Sequence, residues 1–152
     1  MATKINIKNL PSGYQSIITN GKHTVIGDEP TTSKGTDLGL SPTELVLSGL
    51  GMCKVATVRY IARKNGWEIR DVNAELSQVV QKGENGKLLT TVQTQINIEG
   101  DITEEQKQEL LKQANACYVH RMIEGDWNIE GVEELQEVNE LNHQEKDPLF
   151  KM

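Results

Sequence analysis

The chain contains two cysteines, and these are the residues whose type and position most directly suggest chemistry. Cys53 lies within the apolar segment SPTELVLSGLGMCKVATVRYIARKNGW, residues 41–67, and Cys117 lies within ANACYVHRM, residues 114–122. Two thiols can form a redox couple, in which one reacts with an oxidant and the other closes a disulfide, provided that the fold brings them together. They could also be inert buried side chains, because free cysteine is among the most buried residue types.

The local surroundings of the two thiols differ. His120 and Arg121 follow Cys117 by three and four residues and could favour its thiolate. Cys53 lies about 18 Å from the start of its predicted helix at ~1.5 Å per residue, which is too far for the helix dipole to act on it. Groups from elsewhere in the fold would have to activate Cys53. The spacing of the two cysteines and three histidines fits no zinc site, so we predict no bound metal.

Composition limits the class of protein. The chain has 152 residues, of which 36% are hydrophobic and six are aromatic, which predicts one domain with a modest core and some surface buried against a second subunit. Its net charge of -6 argues against nucleic acid and anionic membranes as partners. The N-terminus has no secretory pattern and no run approaches ~18 apolar residues, so we predict a soluble cytoplasmic protein.

Five segments alternate apolar with polar residues or are rich in β-branched residues, as strands are. Asn20-Gly21 is a strong hairpin signal between the second and third segments, and residues 83–86 join the last two into a long hairpin. We expect Asp28 and Glu29 to be solvated in the long polar loop that follows the third. The predicted strands are residues 4–9, 16–19, 23–26, 72–81 and 88–98, with residues 127–132 as a candidate sixth.

The first predicted helix has clear boundaries. Ser41, Pro42 and Glu44 form a capping box at its start, and Gly66 is placed to end it. Glu44 is most simply a capping residue. Apolar residues cover most of the helix circumference, so we expect this helix to be buried on more than one side.

A second helix is predicted over residues 104–116, with Thr103 and Gln106 as its capping box. Its apolar positions recur at helical spacing, and Cys117 closes it. The chain then ends in an acidic, polar extension, residues 133–152, which we expect to be partly helical.

Several motifs together resemble one known family. SPTELVLSGLGMC, a helix ending in RKNGW, and ANACYVHR resemble the OsmC/Ohr family of organic hydroperoxide reductases and their OsmC-like relatives. The loop GDEPTTSKGTDLGLSP also looks like the segment that precedes the family's first-cysteine helix. The resemblance covers residues 23–132.

The resemblance implies an α+β fold in which a curved antiparallel sheet wraps central helices and two subunits form an intertwined homodimer. It assigns residues 1–132 to a single OsmC-like domain and leaves residues 133–152 as an extension. An interlocked dimer would explain a helix that is apolar nearly all round.

The resemblance also implies a reaction. Cys53 would be the peroxidatic cysteine and Cys117 the resolving one, and an organic hydroperoxide would be the substrate. A dithiol reductant, such as a lipoyl-bearing protein, would reduce the resulting disulfide, without a metal or other cofactor. Glu44, His120 and Arg121 are the candidate supporting residues.

The chain departs from the Ohr pattern at the activating groups. Ohr-type enzymes use an N-terminal arginine and a glutamate directly after the helix-start proline. Here the first arginine is Arg59, and Thr43 follows Pro42. Arg121 is a candidate for the missing cation. The chain therefore resembles the OsmC-like branch, and two functions stay open: thiol peroxidase, or dimeric redox or small-ligand-binding protein without significant turnover.

Overall fold

The computed structural model describes residues 2–136, which form three helices and two antiparallel sheets. The α+β class with antiparallel sheets is therefore confirmed. The chain divides into two compact units, one comprising residues 1–41 and 128–152 and the other residues 42–127. Each unit is described separately below.

The first unit contains a three-stranded antiparallel meander. Strands β1 (Asn6–Asn9), β2 (Ser16–Thr19) and β3 (Thr24–Gly27) lie in that order. Asn20 and Gly21 form the turn between β2 and β3, as predicted, and Gly21 has a φ of 96°, which favours glycine. The hairpin signal thus gave the correct pairing.

The loop after β3 is organised by the Asp28 carboxylate, which contradicts the prediction that Asp28 is solvated. Asp28 is 3% exposed. It accepts hydrogen bonds from the Thr36 hydroxyl and from the backbone N–H groups of Tyr14, Glu29, Thr36 and Leu38. Chiefly because the Thr36 side chain donates to the charged form, the pKa of Asp28 falls from 3.8 to about 2.

The second unit is built on helix α1 (Pro42–Lys64), which begins at the predicted residue. Its end is a Schellman motif: the Trp67 N–H donates to the Ala62 carbonyl at 2.9 Å and the Gly66 N–H to the Arg63 carbonyl at 3.2 Å. Gly66 has a φ of 68°, the left-handed conformation that this motif requires. The prediction that Gly66 ends the helix is confirmed.

Burial of α1 differs from the prediction. Only one stripe of the helix is buried, while Val46, Met52 and Tyr60 are 61%, 73% and 63% exposed. Within the described residues, α1 is the one helix long and apolar enough to cross a membrane, judged by length and composition. The core helix of a soluble protein has the same length and apolar composition.

A long hairpin of β4 (Ile69–Lys82) and β5 (Leu88–Gly100) packs against α1. Leu76 of β4 lies so close to Gly51 that a Cβ there would be 2.8 Å from Leu76 Cδ1. Glycine at this position therefore allows helix and sheet to approach. Ile98 is buried, as its predicted place on the apolar face requires.

Two shorter helices complete the second unit. Helix α2 (Glu104–Ala114) has the predicted capping box between Thr103 and Gln106. Helix α3 (Tyr118–Glu124) was not predicted. Cys117 lies directly before α3, so it precedes this helix rather than closing α2, which ends three residues earlier. The buried core of the unit consists of Val58, Ala62, Ile98, Leu110 and Ala114.

Beyond α3, the candidate strand at residues 127–132 was a wrong prediction, because these residues have no regular secondary structure. Residues 133–136 likewise form neither helix nor strand. The predicted partly helical tail otherwise lies outside the described residues. The division into a domain of residues 1–132 and an extension stays a prediction.

Candidate functional site

Cys53 is placed on the side of α1 that meets α3. Its sulfur accepts a hydrogen bond from the Val119 N–H at 3.5 Å, and its side chain is partly buried. Val119 lies in the first turn of α3, where backbone N–H groups have no partner within the helix. The hydrogen-bond donor to the Cys53 sulfur thus comes from α3, whereas Cys53 itself lies on α1.

Cys117 is 2% exposed and lies two residues before Val119, whose N–H donates to the Cys53 sulfur. Burial raises the pKa of Cys117, and the neighbouring Cys53 thiol raises it further. The backbone N–H of His120 and the charge of Lys54 oppose this rise in pKa. The His120 N–H is near the sulfur without forming a regular capping hydrogen bond. Both cysteines are free thiols.

Lys54 is the functional candidate that the sequence interpretation missed. Its side chain is 4% exposed, and its Nζ donates to the Ala114 carbonyl at 3.1 Å. The same Nζ lies 2.8 Å from His120 Nδ1. A positive charge is therefore buried beside the thiol pair.

His120 links Lys54 to the surface. An ammonium group only donates hydrogen bonds, so Nδ1 must accept and the ring proton must lie on Nε2. Nε2 is 3.0 Å from Oε1 of Glu124, which can accept that proton in a hydrogen bond. The His120 ring therefore bridges the buried ammonium of Lys54 and the exposed carboxylate of Glu124.

The other two predicted supporting residues lie elsewhere. Arg121 stacks over the Tyr118 ring, with Cζ 5.8 Å from the ring centroid, and is exposed. Glu44 lies in the first turn of α1 and is exposed. It is nine residues from Cys53, or about 14 Å along the helix. Of the three predicted supporting residues, the structure brings His120 to the thiols.

A cavity of about 360 Å³ opens beside Lys54 and His120, with Leu50, Val92 and Ile123 in its walls. Neither cysteine lines it. Among residues 2–136, no group of three or more His, Cys, Asp or Glu side chains is placed to hold a metal ion.

A sequence signal for Lys54 did exist. Leu50, Lys54, Val58 and Ala62 recur every four residues and form the buried stripe of α1. A lysine in register with core positions, directly after a cysteine, indicates a buried charge.

Comparison with known proteins identifies the family of the chain. Residues 35–130 match the family model described as OsmC-like protein, so the chain belongs to the OsmC-like family. No curated protein matches the chain.

Solved structures show the same fold. An OsmC-like protein from Mycoplasma pneumoniae aligns with a TM-score of 0.67 at 18% identity, covering 82% of this chain and 90% of its own. An organic hydroperoxide resistance protein OsmC from Legionella pneumophila gives 0.62 at 17% identity, covering 82% and 90%. The organic hydroperoxide resistance protein OhrB of Bacillus subtilis gives 0.61 at 21% identity, covering 83% and 93%.

Proposed function

We propose that this protein is a thiol-dependent peroxidase that reduces organic hydroperoxides, with Cys53 as the peroxidatic and Cys117 as the resolving cysteine. The observation that carries the proposal is the hydrogen bond from the Val119 N–H, two residues after Cys117, to the Cys53 sulfur at 3.5 Å, which joins the segment of one thiol to the side chain of the other. Cys53 is partly exposed, as a thiol that reacts with the hydroperoxide must be. Cys117 is 2% exposed, which is compatible with a thiol that reacts only with oxidised Cys53.

The reaction needs only sulfur chemistry. Cys53 loses its proton, and its thiolate attacks the distal oxygen of the hydroperoxide, so that the S–O bond forms as the O–O bond breaks. The released alkoxide takes up the proton and leaves as the alcohol. Cys53 is then a sulfenic acid. The Cys117 sulfur attacks the Cys53 sulfur, the S–S bond forms, the S–O bond breaks, and water leaves. An external dithiol, such as a lipoyl-bearing protein, exchanges with this disulfide and restores both thiols.

The Val119 N–H supports the proposed role of Cys53. It donates to the Cys53 sulfur at 3.5 Å, and a donor at this position stabilises negative charge on sulfur. Relatives whose names record organic hydroperoxide resistance, from L. pneumophila and B. subtilis, share the fold. A cytoplasmic location, which the sequence predicts, would keep the thiols reduced between turnovers.

The alternative is an OsmC-like redox or small-ligand-binding protein without significant peroxide turnover. The raised pKa of Cys117 favours this alternative, because a protonated thiol reacts slowly with a sulfenic acid to form a disulfide. The two functions differ in what peroxide does to the thiols.

We also propose that the active form is a homodimer. Val46, Met52 and Tyr60 of α1 leave apolar surface exposed in the single chain. A second copy of the chain could cover this surface and bury it.

Peroxide titration tests the peroxidase proposal. Cumene hydroperoxide added to the reduced protein should remove both free thiols of each chain. Cys117→Ser should lose its single thiol and trap a sulfenic acid that dimedone labels, whereas Cys53→Ser should keep Cys117 reduced. Unchanged thiols in excess peroxide would rule out the cycle in favour of the alternative.

A further inference from the structure

Lys54 is a buried cation whose two hydrogen-bond partners carry no negative charge. It is 4% exposed, and its ammonium contacts the Ala114 carbonyl and His120 Nδ1. Within residues 2–136, no carboxylate pairs with it. Burying a charge without a counter-ion is costly, so a partner anion at this place would be strongly favoured.

The groups facing Lys54 limit what this anion can be. Helix α3 contributes the His120 ring, and Glu124 is reached only through that ring. Helix α2 contributes the neutral Ala114 carbonyl. Cys117 lies between these two anchors in the chain, three residues after Ala114 and three before His120, and its buried thiol is the acidic group beside the Lys54 ammonium. The Lys54 charge opposes the rise in the pKa of Cys117.

We propose that Lys54 is a positioning residue that stabilises the Cys117 thiolate in the disulfide-forming step. This inference rests on the proposed function. Cys117 loses its proton, its sulfur attacks the Cys53 sulfenic sulfur, and the S–O bond breaks to release hydroxide. Hydroxide takes up a proton and leaves as water. Lys54 supplies positive charge while the sulfur is negative and takes no part in the proton transfer.

Two anchors hold the ammonium in place. The Ala114 carbonyl at the end of α2 and His120 Nδ1 on α3 accept from Nζ at 3.1 Å and 2.8 Å. Because the anchors lie on different helices, Nζ has little freedom to move away when Cys117 is neutral. The charge is therefore already in place when the thiolate forms, and little reorganisation is required.

The test compares two substitutions that both keep an N–H donor for the Ala114 carbonyl. Lys54→Arg keeps the charge and Lys54→Gln removes it. In a Cys53→Ser background without peroxide, the rate of Cys117 alkylation by iodoacetamide is measured against pH. Lys54→Gln should raise the pH midpoint by about one unit or more, as expected for loss of a nearby opposite charge. The pH midpoint of Lys54→Arg should stay near that of the parent. The same is expected of Lys64→Gln, which alters an exposed lysine of the same helix.

A midpoint unchanged in folded Lys54→Gln would overturn the inference. A second measurement keeps Lys54 intact. In the Cys53→Ser protein, the ¹⁵N resonance of the Lys54 Nζ should shift with the Cys117 midpoint, and this shift should vanish when Cys117 is also serine. A Lys54 resonance insensitive to Cys117 would likewise refute the role. Since neither measurement uses peroxide, their failure is distinct from failure of the peroxidase cycle.

Discussion

The Nζ of Lys54 lies 2.8 Å from Nδ1 of His120, so a buried ammonium on α1 is held by an imidazole on α3. This contact connects the helix that carries Cys53 with the helix that follows Cys117. An imidazole nitrogen that faces an ammonium can accept a hydrogen bond from it. The packing of α1 against α3 and the position of the Lys54 ammonium thus depend on each other.

Removing the imidazole should destabilise the protein. His120→Ala leaves a buried ammonium with one partner fewer, which should lower the free energy of unfolding by about 1–3 kcal/mol. His120→Asn can place a carbonyl oxygen near Lys54 Nζ and should therefore lower the free energy of unfolding by less than His120→Ala. Urea denaturation at pH 7 measures both.

Glu124→Gln is the matched control for His120. Glu124 contacts the other ring nitrogen of His120, but its side chain is 72% exposed. Glu124→Gln should therefore lower the free energy of unfolding by about 0.5 kcal/mol or less. Equal losses in His120→Ala and Glu124→Gln would contradict the importance of the buried contact.

Asp28 should make stability depend on acid pH. Its folded pKa of about 2 lies below the ordinary 3.8, so the unfolded state takes up the proton first as pH falls. The stabilising contribution is therefore complete above about pH 4 and is lost as pH falls to about 2. Asp28→Asn should lower Tm at pH 7 and flatten the Tm profile between these values.

Thermal melts from pH 2 to 7 check this, with Asp101→Asn as control because Asp101 is exposed. If Asp28→Asn and the parent lose Tm in parallel below pH 4, the carboxylate does not organise the loop as described.

The core of the second unit depends on Leu110. This α2 side chain is 0% exposed, and Leu110→Ala should lower the free energy of unfolding by about 2–5 kcal/mol through lost burial and a cavity. Leu88→Ala, at a position 65% exposed on β5, should change it by less than about 0.5 kcal/mol. Chemical denaturation distinguishes the two, and similar losses would show that the core is not where α1 and α2 meet.

The exposed face of α1 should mediate dimerisation. Val46 is 61% exposed, and Val46→Glu places a charge on this face while replacing a β-branched residue with a better helix former. Dissociation would therefore not reflect a weakened helix. Light scattering after gel filtration should give a dimer for the parent and a monomer for Val46→Glu.

Gln108→Glu supplies the control, since it adds the same charge to an exposed position of α2 and should leave the dimer intact. A parent protein that is a folded monomer on dilution would refute the homodimer.

Local signals predicted much of the fold. The Asn20-Gly21 turn, the start of α1 at Pro42, its end before Gly66 and the Thr103 capping box are all found in the structure. Each depends on residues close together in sequence, whose conformational preferences act regardless of the rest of the chain. The site was harder to predict, because the Val119 N–H reaches Cys53 across 66 residues.

The sequence by itself determined the two thiols, the helix that carries Cys53 and the family to which their motifs belong. Tertiary structure alone decided that Cys117 precedes α3, that the Val119 N–H reaches the Cys53 sulfur, and that Lys54 is the buried cation beside the two thiols. Helical periodicity places Lys54 on a stripe but does not say what packs against that stripe. Burial, and with it the strength of a charge, depends on which distant segments exclude water from the site.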